Sequence, residues 1–157
     1  MKNRLIVILS ALFILSCTQN TSKDEDNNQN LLSTENTEIA KDGVFIHITE
    51  GYKDAHRVLM PLKMATMMAS DKDVIVYMDI HAVDLLVNGA EDLMMDGFES
   101  CQTYLKKLAD MNVGVYACPT CLQVAGYEPS DLMDGIKTAQ KDRFFDFTSG
   151  RILTLDY

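Results

Sequence analysis

Hydrophobic and polar positions follow two alternating patterns from about residue 43 onward. Short runs rich in β-branched and aromatic residues predict strands, and the first three of these runs are apolar on both faces, as in a buried parallel sheet. Between them, apolar residues recur every three or four positions, which is the spacing of a helix with one buried face. The predicted strands are Val44 to Thr49, Asp73 to Met78, Val113 to Ala117, Ile136 to Thr138 and Arg151 to Leu155.

The longest predicted helix runs from Asp54 to Ser70. Its Pro61 is expected to kink the helix or to tighten its first turns. The stretch Asn88 to Gly97, which is rich in glycine and acids, is predicted as a loop with a helical turn. The apolar face of the long helix is formed by Val58, Leu62, Ala65 and Ala69, and the other predicted helices are His81 to Val87, Ser100 to Met111, Pro119 to Ala125, Ser130 to Met133 and Lys141 to Phe147.

Strands that alternate with helices predict an α/β fold with a mostly parallel sheet of about five strands, covered on both faces. In such sheets, ligands bind outside the carboxyl ends of the strands. Those ends present Thr49 and Glu50 after the first strand, Asp79 and His81 after the second, and Cys118 after the third. The sequence therefore places a candidate site at this edge of the sheet.

The first residues of the chain have the pattern of an export signal. Lys2 and Arg4 precede an apolar run from Leu5 to Leu15, which is too short for a membrane-spanning helix. Because Ser16 is followed directly by Cys17, the end of this run resembles a bacterial lipobox. We predict a lipoprotein signal peptide over residues 1–16 and a lipid anchor on Cys17; the alternative is an ordinary secretory signal with an incidental cysteine.

Residues 17–42 are rich in Asn, Thr, Ser, Gln and acids and show no hydrophobic period, which predicts a flexible tether. The predicted domain then occupies residues 43–157. With the lipid on Cys17, the protein is expected in the bacterial cell envelope, anchored in a membrane and facing the periplasm or the cell surface.

Length and charge narrow the classes of function. A chain of 157 residues is long enough for one domain with a proper core. Its formal net charge of -9 becomes -11 once Lys2 and Arg4 are removed with the signal peptide. Nucleic-acid binding is not expected, because phosphate contacts require concentrated positive charge.

Cys118 and Cys121 form the local pattern whose residue types indicate chemistry. Pro119 suits a first helical position, where its missing N–H costs nothing, so Cys118 is the predicted N-cap. Residues three apart on a helix share a face, which brings both sulfurs together. Unpaired N–H groups at the cap favour a thiolate and predict a nucleophilic Cys118. The alternative is a pair of small core residues opening a packed helix.

Three further residues at the same edge are possible supporting groups. His81 and Glu50, with Thr49 beside them, are candidates for a proton donor or a partner of the thiolate. The alternative for each is a surface loop residue or a helix cap. Cys101 recurs with Tyr104, Leu105, Leu108 and Met111 at helical spacing and is predicted to be a core residue.

With these features in place, residues 43–157 resemble the DsrE/DsrF-like family of sulfur-relay and YchN-type α/β proteins. In sulfur-relay members, a single cysteine at the end of a strand stands eight residues before a glycine and carries sulfur as a persulfide; Cys118 and Gly126 match that arrangement. The matching segments are His47 to Gly51, Asp54 to Arg57, Val113 to Gly126, Asp146-Phe147 and Arg151 to Leu155.

The resemblance implies a three-layer sandwich, assembly as a homo-oligomer (trimer or hexamer) and no organic cofactor. It also implies exchange of sulfur with donor and acceptor proteins or with small sulfane-sulfur compounds. Two features depart from the family. Cys121 is an extra thiol, which would tend to resolve a persulfide on Cys118 into a disulfide. The export signal places this protein outside the cytoplasm, whereas the known relays work inside it.

Three functions remain open from the sequence. The leading one is a sulfur carrier that holds a persulfide on Cys118. The second is a thiol-disulfide oxidoreductase that uses Cys118 to attack and Cys121 to resolve, without the tryptophan and cis-proline of a thioredoxin fold. The third is a binding module for a metal or small ligand. No metal site is predicted, because zinc needs four ligands and the possible additions to the pair, His47, His56, His81 and Cys101, have no diagnostic spacing.

Overall fold

The computed structural model describes residues 40–144 and 146–157. The predicted signal peptide, Cys17 and nearly all of the predicted tether lie outside the described residues. Within the described part of the chain, no helix combines the length and the apolar character that a bilayer crossing requires.

Five parallel strands form one sheet. They cover Gly43–Ile48 (β1), Asp73–Met78 (β2), Gly114–Ala117 (β3), Ile136–Thr138 (β4) and Ile152–Asp156 (β5). The spatial order is β4-β3-β2-β1-β5, so the chain moves one strand at a time toward one edge and then returns across the whole sheet. The predicted parallel sheet is confirmed, and each predicted strand lies within one residue of its observed bounds.

Four α-helices connect these strands: Ala55–Met68 (α1), Cys101–Asp110 (α2), Pro119–Ala125 (α3) and Lys141–Phe144 (α4). Two short 3-10 helices cover Ala82–Leu85 and Pro129–Asp131. Asp54 and Ser100 cap α1 and α2, each through a side chain that accepts a backbone N–H. Two predicted helices are shorter in the structure. The segment from His81 to Val87 contains a 3-10 helix over Ala82–Leu85, and α4 ends at Phe144 rather than at Phe147.

The two faces of the sheet are covered unequally. Because parallel crossovers are right-handed, the steps from β1 to β3 put α1 and α2 on one face, and the return from β4 to β5 puts α4 on the other. The first face holds the core, including Val44, Ile46 and Ile48 of β1. On the second face, Phe144 of α4 packs edge-on against Tyr77, with ring centroids 5.0 Å apart.

Because α4 is a single turn, the second face is only partly covered. His47, Tyr77 and Tyr116 face it from three neighbouring strands and are half-buried rather than buried. The sequence predicted complete burial of β3 from its apolar residues. The prediction was wrong for this face because a tyrosine suits both a buried strand and a half-covered one.

A truncation in the core should destabilise the fold strongly. Leu62 of α1 is completely buried, so Leu62→Ala should lower the free energy of unfolding by about 2–5 kcal/mol, through lost transfer free energy and a cavity. Met67 lies on the same helix and is 67% exposed, so Met67→Ala is the matched control and should change that free energy by less than ~0.5 kcal/mol. Urea unfolding followed by circular dichroism measures both, and equal effects would contradict this core assignment.

Candidate functional site

Cys118 stands at the junction between β3 and α3. Its backbone N–H donates to the carbonyl of Met78, 3.0 Å away, which continues the pairing of β2 with β3 beyond the strand ends. Pro119 then begins α3, and the Cys118 sulfur accepts the backbone N–H of Cys121 at 3.4 Å. The predicted N-cap is confirmed. Gly126 ends the helix at a φ of 86°, a left-handed conformation that glycine adopts without strain.

Hydrogen bonds to the Cys118 sulfur favour its thiolate. Burial opposes this effect, but the hydroxyl of Tyr77, the thiol of Cys121 and the backbone N–H groups of Cys121 and Thr120 together lower the pKa of Cys118 below that of an ordinary thiol. In the opposite sense, burial and the interaction with Cys118 raise the pKa of Tyr77. Tyr77 therefore keeps its proton and donates it in a hydrogen bond to the sulfur.

Cys121 has the opposite tendency. Burial, followed by the hydrogen bond to Cys118 and the negative charges of Cys118 and Asp79, raises its pKa, and only the backbone N–H of Ile80 acts in the lowering direction. The two thiols are both free and lie side by side. Of the two thiols, Cys118 therefore ionises first, and Cys121 keeps its proton to a higher pH.

Ile80 adopts a conformation that its side chain disfavours. Its φ is 48°, in the left-handed region, where a β-branched residue costs roughly 1–3 kcal/mol. The loop after β1 packs closely against His81, the residue that follows Ile80. A Cβ at Gly51 would stand only 2.5 Å from the carbonyl oxygen of His81. In addition, the N–H of His81 donates to the carbonyl of Thr49 at 3.1 Å. These contacts hold the segment that presents the N–H of Ile80 to Cys121.

An open cavity of about 370 Å³ borders Cys121. Its walls include His81 and Asp84, together with Ile80 and Val124, which are 54% and 84% exposed. His81 thus lines the cavity beside Cys121, whereas Thr49 has a different contact, a hydrogen bond from its hydroxyl to the carbonyl of Tyr157 at 3.1 Å. Glu50 is half-buried in the loop after β1 and does not line this cavity.

A histidine between two carboxylates lies on the second face, next to Tyr77. His47 Nδ1 lies 3.0 Å from Asp156 Oδ1, and His47 Nε2 lies 3.0 Å from Asp79 Oδ2. The second approach is close but is not a hydrogen bond. Among the described residues, neither His47 Nε2 nor Asp79 Oδ1 has a hydrogen-bond partner, and both atoms are buried. The His47 ring packs on Tyr77 with centroids 5.4 Å apart, which links this group to the tyrosine that contacts Cys118.

The remaining candidates lie apart from the cysteine pair. Cys101 begins α2 and is buried in the core, and burial raises its pKa to about 12. His56 packs against the ring of Phe98. Among the described residues, no group of three or more His, Cys, Asp or Glu side chains has an arrangement suited to a metal ion.

Sequence reasoning missed Tyr77 and the strained Ile80, and it considered His47 only as a metal ligand. One signal was available for Tyr77 and Asp79. Alternation along β2 places them on the face opposite Val76 and Met78, and the same alternation in β3 places Cys118 on their side. Neither pattern gives the relative register of the two strands, and the backbone conformation of Ile80 has no sequence signal at all.

Comparison with solved structures identifies the fold. The YchN protein from E. coli superposes with a TM-score of 0.59 and 22% sequence identity, covering 73% of this chain and 99% of that chain. MTH1491 from Methanobacterium thermoautotrophicum, a protein of unknown function, gives a TM-score of 0.51 and 20% identity, covering 72% of this chain and 98% of that chain. No model of a protein family and no curated protein matches the sequence.

The chain has the YchN fold. At this level of identity the likeness concerns the backbone, and it confirms the α/β architecture that the DsrE/DsrF-like resemblance implied. The superposition spans nearly the whole of the YchN chain, so the domain contains the complete fold rather than part of it.

The geometry predicts that an alkylating reagent will discriminate among the three described thiols. Iodoacetamide should modify Cys118 first, at a pH below that of an ordinary thiol, because only the thiolate reacts and the pKa of Cys118 is lowered. Buried Cys101 should stay unmodified in the folded protein. Peptide mass spectrometry across a pH series measures the order, and modification of Cys121 ahead of Cys118 would contradict it.

Replacing Tyr77 tests the source of this lowered pKa. Tyr77→Phe removes a donor to the thiolate, so the pKa of Cys118 should rise and its alkylation profile should move to higher pH. Tyr116 pairs with Tyr77 on the neighbouring strand, which makes Tyr116→Phe the matched control. If both variants shift the profile equally, the Tyr77 hydroxyl is not the group responsible.

Proposed function

We propose that this protein is a sulfur carrier of the DsrE/DsrF-like family that holds a persulfide on Cys118. The observation that supports the proposal most strongly is the set of hydrogen bonds to the Cys118 sulfur, which favours a thiolate at the carboxyl edge of the sheet. The YchN fold and the spacing of Cys118 from Gly126 agree with it. A thiolate is the nucleophilic form that attacks sulfane sulfur.

The loading step needs no cofactor. The Cys118 thiolate attacks the terminal sulfur of a sulfane-sulfur donor, a new S–S bond forms, and the S–S bond within the donor breaks. The donor leaves as a thiolate with one sulfur fewer, and the negative charge of Cys118 moves to the outer sulfur of the persulfide. Small polysulfides and persulfidated donor proteins both fit this step, and an acceptor thiol removes the sulfur by the same chemistry in reverse.

A thiol-disulfide oxidoreductase is the second candidate, and the proximity of Cys121 favours it. The neighbouring thiols have the unequal acidity that attacking and resolving cysteines need. We place it second because the fold is that of YchN rather than a thioredoxin. A third candidate, a metal-binding module, has no comparable observation in its favour.

Uptake of sulfur tests the carrier. Cys121→Ser protein, exposed anaerobically to a small excess of inorganic polysulfide and desalted, should gain the mass of one sulfur atom on the peptide containing Cys118. The same protein with Cys118→Ser added should gain none, and Cys101→Ser is the matched control that should leave uptake unchanged because Cys101 is buried. A reactive Cys118, shown by alkylation, that takes up no sulfur would remove this proposal.

We also propose that the chain is lipid-anchored in the cell envelope through Cys17 and assembles as a homo-oligomer. The first part rests on the export signal and the Ser16-Cys17 junction in the sequence. A single lipid-modified terminus would tether the domain to a membrane surface, and the segment before residue 43 would separate the two.

Metabolic labelling tests the anchor. Cells expressing the full chain with an alkyne fatty acid should incorporate the label into the protein, and Cys17→Ser should abolish incorporation because the modified sulfur is lost. Cys101→Ser is the control and should keep the label. Equal labelling of the Cys17→Ser protein, or no labelling of the unaltered chain in a bacterial host with an active lipoprotein pathway, would contradict the prediction.

A further inference from the structure

The extra thiol of this chain is placed to react with whatever Cys118 carries. Cys121 lies three residues after Cys118, its backbone N–H donates to the Cys118 sulfur at 3.4 Å, and each thiol shifts the pKa of the other. A disulfide requires Cα atoms about 4.4–6.8 Å apart, a separation that residues three apart at the start of a helix already have. The Cys118–Cys121 disulfide can therefore form without a rearrangement of the fold.

The backbone N–H of Ile80 acts as a donor to the sulfur of Cys121. Its strained backbone, at a φ of 48°, directs an N–H group to Cys121, and it is the contact that lowers the pKa of this thiol. Strain at a non-glycine residue persists where surrounding contacts impose it, and such residues concentrate at functional sites. Here the contacts of Thr49 and Gly51 with His81 impose it on the adjacent residue.

We propose that Cys121 discharges the persulfide on Cys118 as hydrogen sulfide, so that the protein is a sulfane-sulfur reductase rather than a store of sulfur. This inference rests on the proposed persulfide on Cys118. The product of the reaction is hydrogen sulfide, and the co-reactant that the site requires is an external dithiol reductant.

The step balances within the pair. The sulfur of Cys121 attacks the Sγ of Cys118, an S–S bond forms between the two cysteines, and the bond from Cys118 to the outer sulfur breaks. The outer sulfur leaves with the electron pair and takes the proton of Cys121, so it departs as hydrosulfide. The sulfane sulfur is reduced by two electrons, the cysteine pair is oxidised by two, and a dithiol returns the pair to the thiol form.

Loading of Cys118 itself prepares Cys121 for this attack. In the unloaded site, burial and the interactions with Cys118 raise the pKa of Cys121. A persulfide carries its negative charge on the outer sulfur, about one S–S bond length or ~2 Å farther along, and leaves Sγ neutral. The contribution of the Cys118 charge then weakens, while the Ile80 N–H continues to lower the pKa of Cys121. Loading therefore weakens one of the effects that raise the pKa of Cys121, while burial, the largest of them, remains.

The surroundings favour release of the outer sulfur over its retention. Asp79 lies close enough for its charge to act on both Tyr77 and Cys121, so it disfavours additional negative charge near the pair. The cavity beside Cys121, about 370 Å³ in volume, opens to solvent and gives hydrosulfide a way out and a dithiol a way in. Its exposed apolar residues, Ile80 and Val124, provide a contact for such a reductant.

The experiment compares the reduced wild-type protein with Cys121→Ser after the same anaerobic load of polysulfide and rapid desalting. The wild-type protein should release close to one hydrogen sulfide per loaded chain, measured by a colorimetric sulfide assay, and peptide mapping should show the Cys118–Cys121 disulfide. Cys121→Ser should keep the added sulfur on Cys118 and release at least tenfold less sulfide over the same time. Cys101→Ser is the matched control and should behave as the wild type.

The outcomes distinguish discharge of the persulfide by Cys121 from formation of the persulfide on Cys118. If Cys121→Ser takes up no sulfur, the carrier itself is wrong. If Cys121→Ser takes up sulfur and the wild-type protein retains its persulfide for as long, without disulfide or sulfide, the carrier stands and the discharge is wrong. Reduction with dithiothreitol followed by a second load should yield a second equivalent of sulfide, and failure to do so in a correctly refolded, thiol-containing protein would overturn the reductase cycle.

Discussion

The site depends on one backbone hydrogen bond, from the N–H of Cys118 to the carbonyl of Met78. It extends the parallel pairing of β2 and β3 by one residue, after both strands have ended. As a result, the sulfur of Cys118 comes to the same face and the same level as the residues that follow Met78. A slip of one residue in this register would turn Cys118 to the other face of the sheet, away from Tyr77 and Asp79.

The unequal faces of the sheet explain why polar chemistry is possible at this level. Two long helices close the first face, and its side chains from β1 to β3 are all apolar and buried. The second face receives the single turn of α4, so a histidine, two tyrosines and a carboxylate remain half-buried there. If the second face were fully covered, these groups would lose their hydration at a large cost in free energy. If it were bare, water would screen the electrostatic interactions that set their pKa values.

The sequence predicted the elements well because their signals are local. Apolar runs marked the strands, and Pro119 with Cys118 marked the start of α3, which the structure confirms. The contacts around the sulfur were less accessible, since they join residues far apart in the chain through the register of neighbouring strands. The alternation along β2 placed Tyr77 on the same face as Cys118 but did not give the register that brings the two together. His81 was predicted at the site only because it follows a strand. Thr49 was expected there for the same reason, yet its hydroxyl binds the carbonyl of Tyr157.

The difference in acidity between the two thiols bears on which reactions the pair can support. A symmetric pair would form a disulfide as readily from either side and would hold no sulfur on one cysteine in preference to the other. Here Tyr77 and the N–H of Cys121 stabilise charge on Cys118, while Cys121 receives a single backbone donor from Ile80 and the repulsion of Asp79. Sulfur chemistry therefore begins at Cys118. Besides burial, the charge of Cys118 helps to keep Cys121 protonated, so a reagent that consumes this charge also removes part of what raises the pKa of the second thiol.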